Sequence, residues 1–274
     1  MYSVYGIIGH PVGHSLSPIM HNLAFKELKI KAVYGAFDVL PENLETAIKG
    51  IKALGIKGLS VTIPHKEEVM KYLDFIDEKA LEISAVNTIV NEKGVLKGFN
   101  TDWIGVQKAF EVSEVSLEDK RVVIIGAGGA SKAVVYAVVK GGAGEVIIYN
   151  RTFEKAKKLA EKFKVKAEPW DKLKTAEGDI IIQTTSVGMK SWDSPVEEDT
   201  IKRFKVAMDI VYSPLETKFL SMAKAFGLKV IDGLKMLLYQ GVEQFRLWTG
   251  MEPPVELMKE AIYRAVKEDV GENS

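Results

Sequence analysis

The sequence predicts an α/β fold of two units, and three observations lead to this prediction. Short apolar runs alternate with longer segments of helical periodicity along the 274 residues, which is the pattern of strands joined through helices. From Arg121 onward the short runs are apolar throughout, as in strands that are covered on both faces of a parallel sheet. A polar stretch at residues 114–120 separates this region from the chain before it. We therefore expect a first α/β unit, followed by a unit built on a parallel sheet.

The chain before residue 114 is predicted to mix strands and helices. Ser17 is interpreted as an N-cap with Pro18 in the first helical position, and Asp102 is interpreted as the cap of a later helix. Lys93-Gly94 is expected to form the turn of a hairpin. The expected strands cover residues 4–9, 32–39, 58–62, 87–91 and 95–99. The expected helices cover residues 17–28, 41–55 and 102–112.

The chain after residue 120 is predicted to alternate strands and helices regularly. The expected strands cover residues 121–125, 145–149, 179–183, 206–211 and 229–231. An Ala/Val-rich helix is expected at 133–139, and the chain becomes helical again after Gly233. Apolar residues between Met258 and Val266 keep helical spacing, which predicts an amphipathic helix near the end of the chain.

Composition excludes several classes of function. The 37 Lys and Arg residues balance the 37 Asp and Glu residues, so no overall positive field attracts nucleic acid or an anionic membrane. The chain has no cysteine, which excludes disulfides, thiolate metal sites and cysteine nucleophiles and fits a reducing compartment. Neither a signal peptide nor an apolar run of the roughly 18 residues that a membrane span needs is visible. We expect a cytoplasmic protein with no nucleic-acid or membrane partner.

A glycine-rich turn is the sharpest local motif. The apolar strand that ends at Ile125 runs into Gly126-Ala127-Gly128-Gly129-Ala130, and a helix follows. Gly126 permits a tight turn, and Gly128 allows the backbone to approach a pyrophosphate at the helix N-terminus. Ser131 occupies the place of the third glycine of the G-x-G-x-x-G pattern and is small enough for close packing. The motif favours a dinucleotide site over the alternative of a purely structural turn.

The residues after the next strand indicate which dinucleotide would bind. An NAD site has an acidic residue there to bind the ribose 2′-hydroxyl, but this chain has Asn150-Arg151-Thr152, with Lys155 one helical turn on. An acid would repel a 2′-phosphate, whereas an arginine binds it through two hydrogen bonds. These residues predict NADP. The alternative is an ordinary helix N-terminus with a solvated arginine.

The first part of the chain offers candidate catalytic and substrate-binding groups. Lys66 is expected where a strand enters a helix, Asp102 follows another strand, and a lysine beside a carboxylate can serve in acid/base chemistry. The alternatives are a solvated lysine and a capping aspartate. Ser15 and Ser17, at a helix N-terminus, suit a polyol or carboxylate ligand, although capping alone would explain Ser17. His10, His14 and His21 lack the spacing and acidic neighbours of a metal site, so we expect no metal.

Taken together, these motifs resemble the shikimate dehydrogenase family, and the resemblance covers nearly the whole chain. One departure concerns Gln183-Thr184, which stands where the family commonly has Asn-Ala. The motifs that carry the resemblance are Ser15-Leu16-Ser17-Pro18, Val61-Thr62-Ile63-Pro64-His65-Lys66, Ala85-Val86-Asn87-Thr88, Asn100-Thr101-Asp102, the glycine turn, Asn150-Arg151-Thr152, Tyr212-Ser213-Pro214 with Thr217, Gly233 to Gln240, and Trp248-Thr249-Gly250.

The resemblance implies a reversible, NADP-linked oxidation of shikimate to 3-dehydroshikimate, a step of aromatic amino-acid biosynthesis on the chorismate pathway. It implies a Rossmann-type doubly wound NADP-binding domain at 102–238 and a discontinuous substrate domain at 1–101 plus 239–274. Lys66 and Asp102 would form the catalytic pair. The implied shikimate-binding residues are Ser15, Ser17, Thr62, Asn87, Asp102, Tyr212 and Gln240. The implied cofactor-binding residues are Glu78, Gly126, Ala127, Gly128, Gly129, Ala130, Asn150, Arg151, Thr152, Lys155, Ile210 and Gly233.

Three other functions remain open from the sequence. An NAD-linked quinate/shikimate dehydrogenase is disfavoured by Asn150-Arg151-Thr152, and a non-catalytic NADP-binding regulator by the presence of Lys66 and Asp102. A Rossmann reductase of another substrate is disfavoured by the hydroxyl and amide residues of the first part. The protein is expected to be a monomer or a homodimer.

Overall fold

A computed structural model describes residues 2–272 and divides the chain into two compact units. Of the described residues, 2–101 and 240–265 form the first unit, and 102–239 and 266–272 form the second. The predicted assignment of shikimate to one domain and of NADP to the other concerns ligands and stays a prediction.

The first unit is built on a mixed six-stranded sheet with the strand order β2-β1-β3-β5-β6-β4. The strand β1 runs parallel to β2 and β3, whereas β3, β5 and β6 pair antiparallel. Its strands are β1 (Ser3–Gly9), β2 (Ala32–Asp38), β3 (Gly58–Val61), β4 (Phe75–Ile76), β5 (Thr88–Glu92) and β6 (Val95–Phe99). Its first helices are α1 (Ser17–Glu27), α2 (Leu44–Leu54) and α3 (Glu78–Ile83), with short 3-10 helices at Pro41–Asn43 and Glu68–Tyr72.

The second unit contains an entirely parallel six-stranded sheet with the order β12-β11-β10-β7-β8-β9. Its strands are β7 (Arg121–Ile125), β8 (Glu145–Tyr149), β9 (Lys166–Glu168), β10 (Ile180–Gln183), β11 (Val206–Asp209) and β12 (Lys229–Ile231). Its helices are α4 (Asp102–Val112), α5 (Gly129–Lys140), α6 (Phe153–Phe163), α7 (Glu198–Ile201) and α8 (Lys218–Ala225). This order is that of the doubly wound dinucleotide-binding fold, in which strands are added outward in both directions from the neighbouring β7 and β10.

Two long helices complete the chain, α9 (Gly233–Thr249) and α10 (Val255–Glu272). The boundaries between the units fall inside them, at residues 239/240 and 265/266. The amphipathic spacing that predicts a helix from Met258 to Val266 is borne out by α10.

Alternate residues of β7 bury opposite faces of the second sheet. Val122 and Ile124 belong to one apolar cluster, and Val123 and Ile125 to another. Because helices cover both faces of the sheet, the interior of β7 contains no polar residue. In the first unit, Leu59 and Val61 of β3 face an apolar cluster, while Ser60 between them lies on the opposite face.

Several local predictions need correction. Leu16, not Ser17, is the N-cap of α1, and its side chain makes no capping bond; Ser17 is the first helical residue. The segment after Pro64 is a turn followed by a 3-10 helix rather than an α-helix. Asp102 is the first residue of α4. None of the described helices is long and apolar enough to cross a membrane.

Candidate active site

In the first unit, the loop after β1 and the start of α1 carry one predicted substrate residue each, Ser15 and Ser17. The Ser15 hydroxyl accepts a hydrogen bond from the Ser17 backbone N–H at 3.3 Å, which gives the first turn of α1 a partner that the sequence had not identified. Ser17 itself is 2% exposed. Ser15, by contrast, is half-buried, so it lies closer to the surface than Ser17 does.

Lys66 is fixed through its backbone to the segment just before β5, which carries Asn87. The turn is closed by a 2.9 Å hydrogen bond from the His65 N–H to the Thr62 carbonyl, and the Lys66 carbonyl accepts from the Val86 N–H at 2.8 Å. The His65 ring, 1% exposed, lies 2.6 Å from the Val39 carbonyl. Lys66 is half-buried, and its backbone partner Val86 directly precedes Asn87.

Asn87 lies at the centre of a buried polar cluster of the first unit. Its Nδ2 atom donates to the Thr101 hydroxyl at 3.0 Å and to the Gln240 Oε1 atom at 3.3 Å. Its Oδ1 atom accepts from the Thr101 N–H at 2.7 Å and from the Thr88 hydroxyl at 2.8 Å. Asn87 and Gln240 are 153 residues apart in the sequence, and the second half of α9 brings them together.

Asp102 follows Thr101 directly but opens α4 and belongs to the second unit. It is 4% exposed. Lys66 belongs to the first unit, so the catalytic pairing of these two residues stays a prediction.

In the second unit, the glycine turn follows β7. Gly126 has φ +117°, and a Cβ atom there would lie 2.4 Å from the Thr184 hydroxyl, so only glycine fits this turn. Gly128 is exposed, and no atom lies within 4 Å of the position that its Cβ would take. Gly129 is the first residue of α5. An open backbone at the start of a helix is the arrangement that receives a pyrophosphate.

Ser131 and Thr184 join the glycine turn to the end of β10. The Gly128 N–H donates to the Ser131 hydroxyl at 3.0 Å, and the Ser131 and Thr184 hydroxyls lie 2.7 Å apart. The Thr184 hydroxyl donates to the Ile125 carbonyl at 2.7 Å. Thr184 is half of the departure from the family pattern, and its contacts show that this departure shapes the loop.

The residues after β8 are largely exposed. Asn150 donates from Nδ2 to the Thr152 carbonyl at 2.9 Å, which shapes the entry to α6. Arg151, Thr152 and Lys155 are exposed. Their side chains therefore sit at the surface beside the start of α6, where an anion gains from the helix dipole.

A buried carboxyl that the sequence analysis missed organises the loop after β11. Asp209, fully buried, accepts from the Val211 N–H at 2.9 Å and from the Thr217 hydroxyl at 2.7 Å. Burial raises the pKa of Asp209 to about 7, because its effect exceeds that of the two hydrogen bonds, which lower the pKa. The loop so closed carries Ile210 and Tyr212. The sequence signal for this contact was Asp209 at the end of an apolar strand, with Thr217 in the loop that follows.

Gly233 and Glu78 lie in different surroundings. A Cβ atom at Gly233 would lie 2.6 Å from the Ile210 carbonyl oxygen, so this glycine allows the start of α9 to pack on the loop after β11. Glu78 is an exposed residue of α3 in the first unit, whereas the other predicted cofactor residues belong to the second. Among the described residues, no group of three or more His, Asp or Glu side chains could hold a metal ion.

Comparison with known proteins decides the family. Residues 7–89 match the family described as shikimate dehydrogenase substrate binding domain, residues 106–210 match shikimate / quinate 5-dehydrogenase, and residues 233–263 match the shikimate 5′-dehydrogenase C-terminal domain. The shikimate dehydrogenase (NADP(+)) of Thermococcus kodakarensis is 49% identical over 269 residues, which are 97% of this chain and 97% of that protein. The chain belongs to the shikimate dehydrogenase family.

Two solved shikimate dehydrogenases share the fold of this family member over almost its whole length. A crystal structure in complex with NADP+ has a TM-score of 0.90 and 48% identity, and the match covers 97% of this chain and 96% of that one. The enzyme of Thermus thermophilus, in complex with NADP(H) and shikimate, has a TM-score of 0.89 and 39% identity, covering 96% and 99%. The predicted resemblance and the predicted α/β class, with an N-terminal substrate-binding domain and a Rossmann-type sheet, are confirmed.

Proposed function

We propose that this chain is an NADP-dependent shikimate dehydrogenase that catalyses the reversible reduction of 3-dehydroshikimate to shikimate in aromatic amino-acid biosynthesis. The observation that carries the proposal is the arrangement in the first unit. The Lys66 carbonyl accepts a hydrogen bond from the Val86 N–H, and the next residue, Asn87, donates to Gln240. A lysine offers a group for proton transfer, and the two amides offer groups for hydroxyl recognition. Similarity over 97% of the chain to an NADP-dependent shikimate dehydrogenase supports it.

The second unit fits NADP on its own residues. The open backbone at Gly128 and the start of α5 suit a pyrophosphate, and the exposed Arg151 suits the 2′-phosphate. Gly126, Ala127, Gly129 and Ala130 would complete the turn around the pyrophosphate. Asn150, Thr152 and Lys155 would line the adenosine end, and Ile210, Gly233 and Glu78 are assigned to the cofactor by resemblance.

The reaction needs a group that moves a proton at the substrate oxygen. For oxidation, bound NADP would supply the acceptor for the hydride that leaves the carbon bearing the reacting hydroxyl. Lys66 takes the hydroxyl proton in that direction and returns it to the carbonyl oxygen in reduction. Its ammonium form stabilises the negative charge that develops on this oxygen. We assign Asp102 as the partner that orients Lys66.

Shikimate carries three hydroxyls and a carboxylate, and the proposed ligands match them in kind. Ser15, Ser17 and Thr62 offer hydroxyls, Asn87 and Gln240 offer amides, and Tyr212 offers a phenol. The N–H groups and dipole at the start of α1 favour a carboxylate beside Ser15 and Ser17. We also propose that the enzyme works in the cytoplasm, which the absence of cysteine fits, as a monomer or homodimer.

Initial rates of nicotinamide reduction, followed by the absorbance of the reduced cofactor, are the direct test. Shikimate and quinate are each paired with NADP and NAD. We expect turnover with shikimate and NADP and a much lower kcat/KM for each other pair. Equal use of NAD would overturn the cofactor assignment, a preference for quinate would favour a quinate/shikimate dehydrogenase, and ligand binding without turnover would favour a regulator.

A further inference from the structure

A chain of buried hydrogen bonds crosses the interior of the first unit and ends at the proposed substrate residues. The Tyr34 hydroxyl donates to the Ser60 hydroxyl at 2.6 Å, and the Ser60 hydroxyl donates to the Gln244 Oε1 atom at 2.7 Å. All three residues are at most 4% exposed. Water therefore does not compete for these bonds, and each group depends on its protein partners.

From Gln244 the chain continues to Asn87. The Gln244 Nε2 atom donates to the Thr88 hydroxyl at 3.0 Å and to the Asn87 carbonyl at 3.2 Å. The Thr88 hydroxyl then donates to the Asn87 Oδ1 atom at 2.8 Å. Asn87 in turn donates from Nδ2 to Gln240.

The direction of these bonds fixes which way each amide faces. Each hydroxyl has one hydrogen, so Ser60, which accepts from Tyr34, uses its own hydrogen on Gln244. The oxygen of the Gln244 amide is thereby held toward Ser60, and its NH₂ group must face Thr88. The Thr88 hydroxyl then donates its hydrogen to the Asn87 oxygen, so the Asn87 NH₂ group faces Gln240.

Two proposed shikimate ligands, Asn87 and Gln240, are therefore held through side chains that the family motifs did not single out for binding.

We infer that Tyr34, Ser60, Gln244 and Thr88, here named the relay, are positioning residues that hold Asn87 and Gln240 in the orientation that binds shikimate. The inference rests on the proposed function for the identity of the ligand. The four residues would act without touching the substrate. Thr88 and Gln244 bond directly to Asn87, and Tyr34 and Ser60 fix the orientation of the Gln244 amide.

The sharpest test uses a matched pair at Thr88. Thr88→Val keeps the shape of the side chain and removes the hydroxyl, whereas Thr88→Ser keeps the hydroxyl. We expect the valine variant to raise the KM for shikimate by roughly 5- to 30-fold, the effect of leaving a buried polar group without its partner. The serine variant should stay within about twofold of the wild type, and neither should change the KM for NADP by more than about twofold.

Tyr34→Phe and Gln244→Met test the relay away from Asn87, with Tyr5→Phe as control. Tyr5 is another buried tyrosine of the first unit, and it lies against Phe25 and Trp248. Both relay variants should raise the KM for shikimate more than the KM for NADP, and Tyr5→Phe should raise neither. A merely structural role would instead lower stability and impair both ligands together.

Some outcomes would overturn the inference. One is a Thr88→Val enzyme that matches Thr88→Ser, and another is an equal rise in both KM values. If the wild type neither binds nor oxidises shikimate, the proposed function fails. The coupling within the relay is then tested separately, by urea unfolding of Tyr34→Phe, Thr88→Val and the double variant. Non-additive losses support coupling through Ser60 and Gln244, and additive losses contradict it.

Discussion

The first unit holds its candidate ligand groups with buried side chains, whereas the second unit presents backbone at the ends of parallel strands. Asn87 makes hydrogen bonds to Thr88, Thr101 and Gln240, and all four are at most 7% exposed. The glycine turn of the second unit instead exposes Gly128 and depends on the positive φ of Gly126. A triol needs donors and acceptors at fixed points, which side chains supply. A pyrophosphate needs a row of N–H groups, which a helix N-terminus supplies.

The same contrast appears in the buried titratable groups. His21 of the first unit is fully buried and stacks on Tyr34 at 4.6 Å, and burial lowers its pKa to about 3. Asp209 of the second unit is held by Val211 and Thr217, and burial raises its pKa to about 7. Burial favours the neutral form of each group, so the two respond to pH in opposite directions.

The largest expected effect falls on Lys66. Lys66→Ala should lower kcat by about 10²–10⁴-fold, since it removes the proton-transfer group, and the lost charge would add to this. Lys66→Arg should rescue poorly, because a guanidinium does not release a proton near neutral pH. Steady-state kinetics beside a shikimate titration measure both variants.

Lys71→Ala is the control for this prediction, since Lys71 is an exposed lysine of the following 3-10 helix, paired with Glu68. It should keep the kcat of the wild type. A Lys66→Ala enzyme with near-normal kcat, or one that no longer binds shikimate, would remove Lys66 from the acid/base role.

Arg151 tests whether the second unit selects the 2′-phosphate. Arg151→Ala should raise the KM for NADP by roughly 10- to 100-fold, the effect of losing hydrogen bonds to a charged group, and should change the KM for NAD much less. Lys158→Ala, at an exposed position of α6, is the control. Equal increases in the KM values for NADP and NAD would show that Arg151 does not bind the 2′-phosphate.

The two units should show opposite pH dependence of stability. The lowered pKa of His21 means that the unfolded chain binds the proton more readily, so stability is complete above about pH 6.5 and is lost toward pH 3. The raised pKa of Asp209 means that the folded chain keeps the proton, so stability is complete below about pH 4 and is lost toward pH 7.

Variants separate these opposing slopes. In the wild type, the free energy of unfolding should fall by about 1 kcal/mol for each pH unit below about pH 6.5 because of His21, and His21→Phe should abolish this fall. Asp209→Asn should abolish a change of opposite sign between about pH 4 and pH 7. Urea unfolding at intervals of pH measures both. Unchanged slopes in either variant would contradict the assignment for that residue.

Much of the fold was predictable because its signals are local. The bounds of β7 and β8 were predicted to the residue, since both strands are apolar runs that a parallel sheet buries on two faces. The two-residue β4 and the three-residue β9 were missed, because such short strands have no periodicity.

The site was predictable to a different degree in each unit. Gly126 and Gly128 are close in sequence, so their spacing revealed the turn. Gln244 and Ser60 are 184 residues apart, and only the packing of α9 against β3 and β5 brings them into one relay. The role of Ser15 as the acceptor for the Ser17 N–H required the true start of α1, which the sequence placed one residue late.

The smallest expected effect concerns Thr184. Thr184→Val should raise the KM for NADP by roughly 2- to 10-fold, because one buried hydrogen bond is lost between the glycine turn and β10. Thr184→Ser should behave as the wild type, since its hydroxyl can still reach Ser131 and the Ile125 carbonyl. An effect on shikimate as large as that on NADP would mean a general loss of structure.

The central claim is that Gln240 of the first unit binds shikimate and Arg151 of the second unit binds NADP, and one crossed titration tests it most directly. Shikimate and NADP are each titrated calorimetrically into Gln240→Ala and Arg151→Ala. We predict that Gln240→Ala loses shikimate affinity by roughly 2- to 10-fold with NADP unchanged, and that Arg151→Ala shows the reverse pattern. Variants that lose both ligands equally would contradict the division.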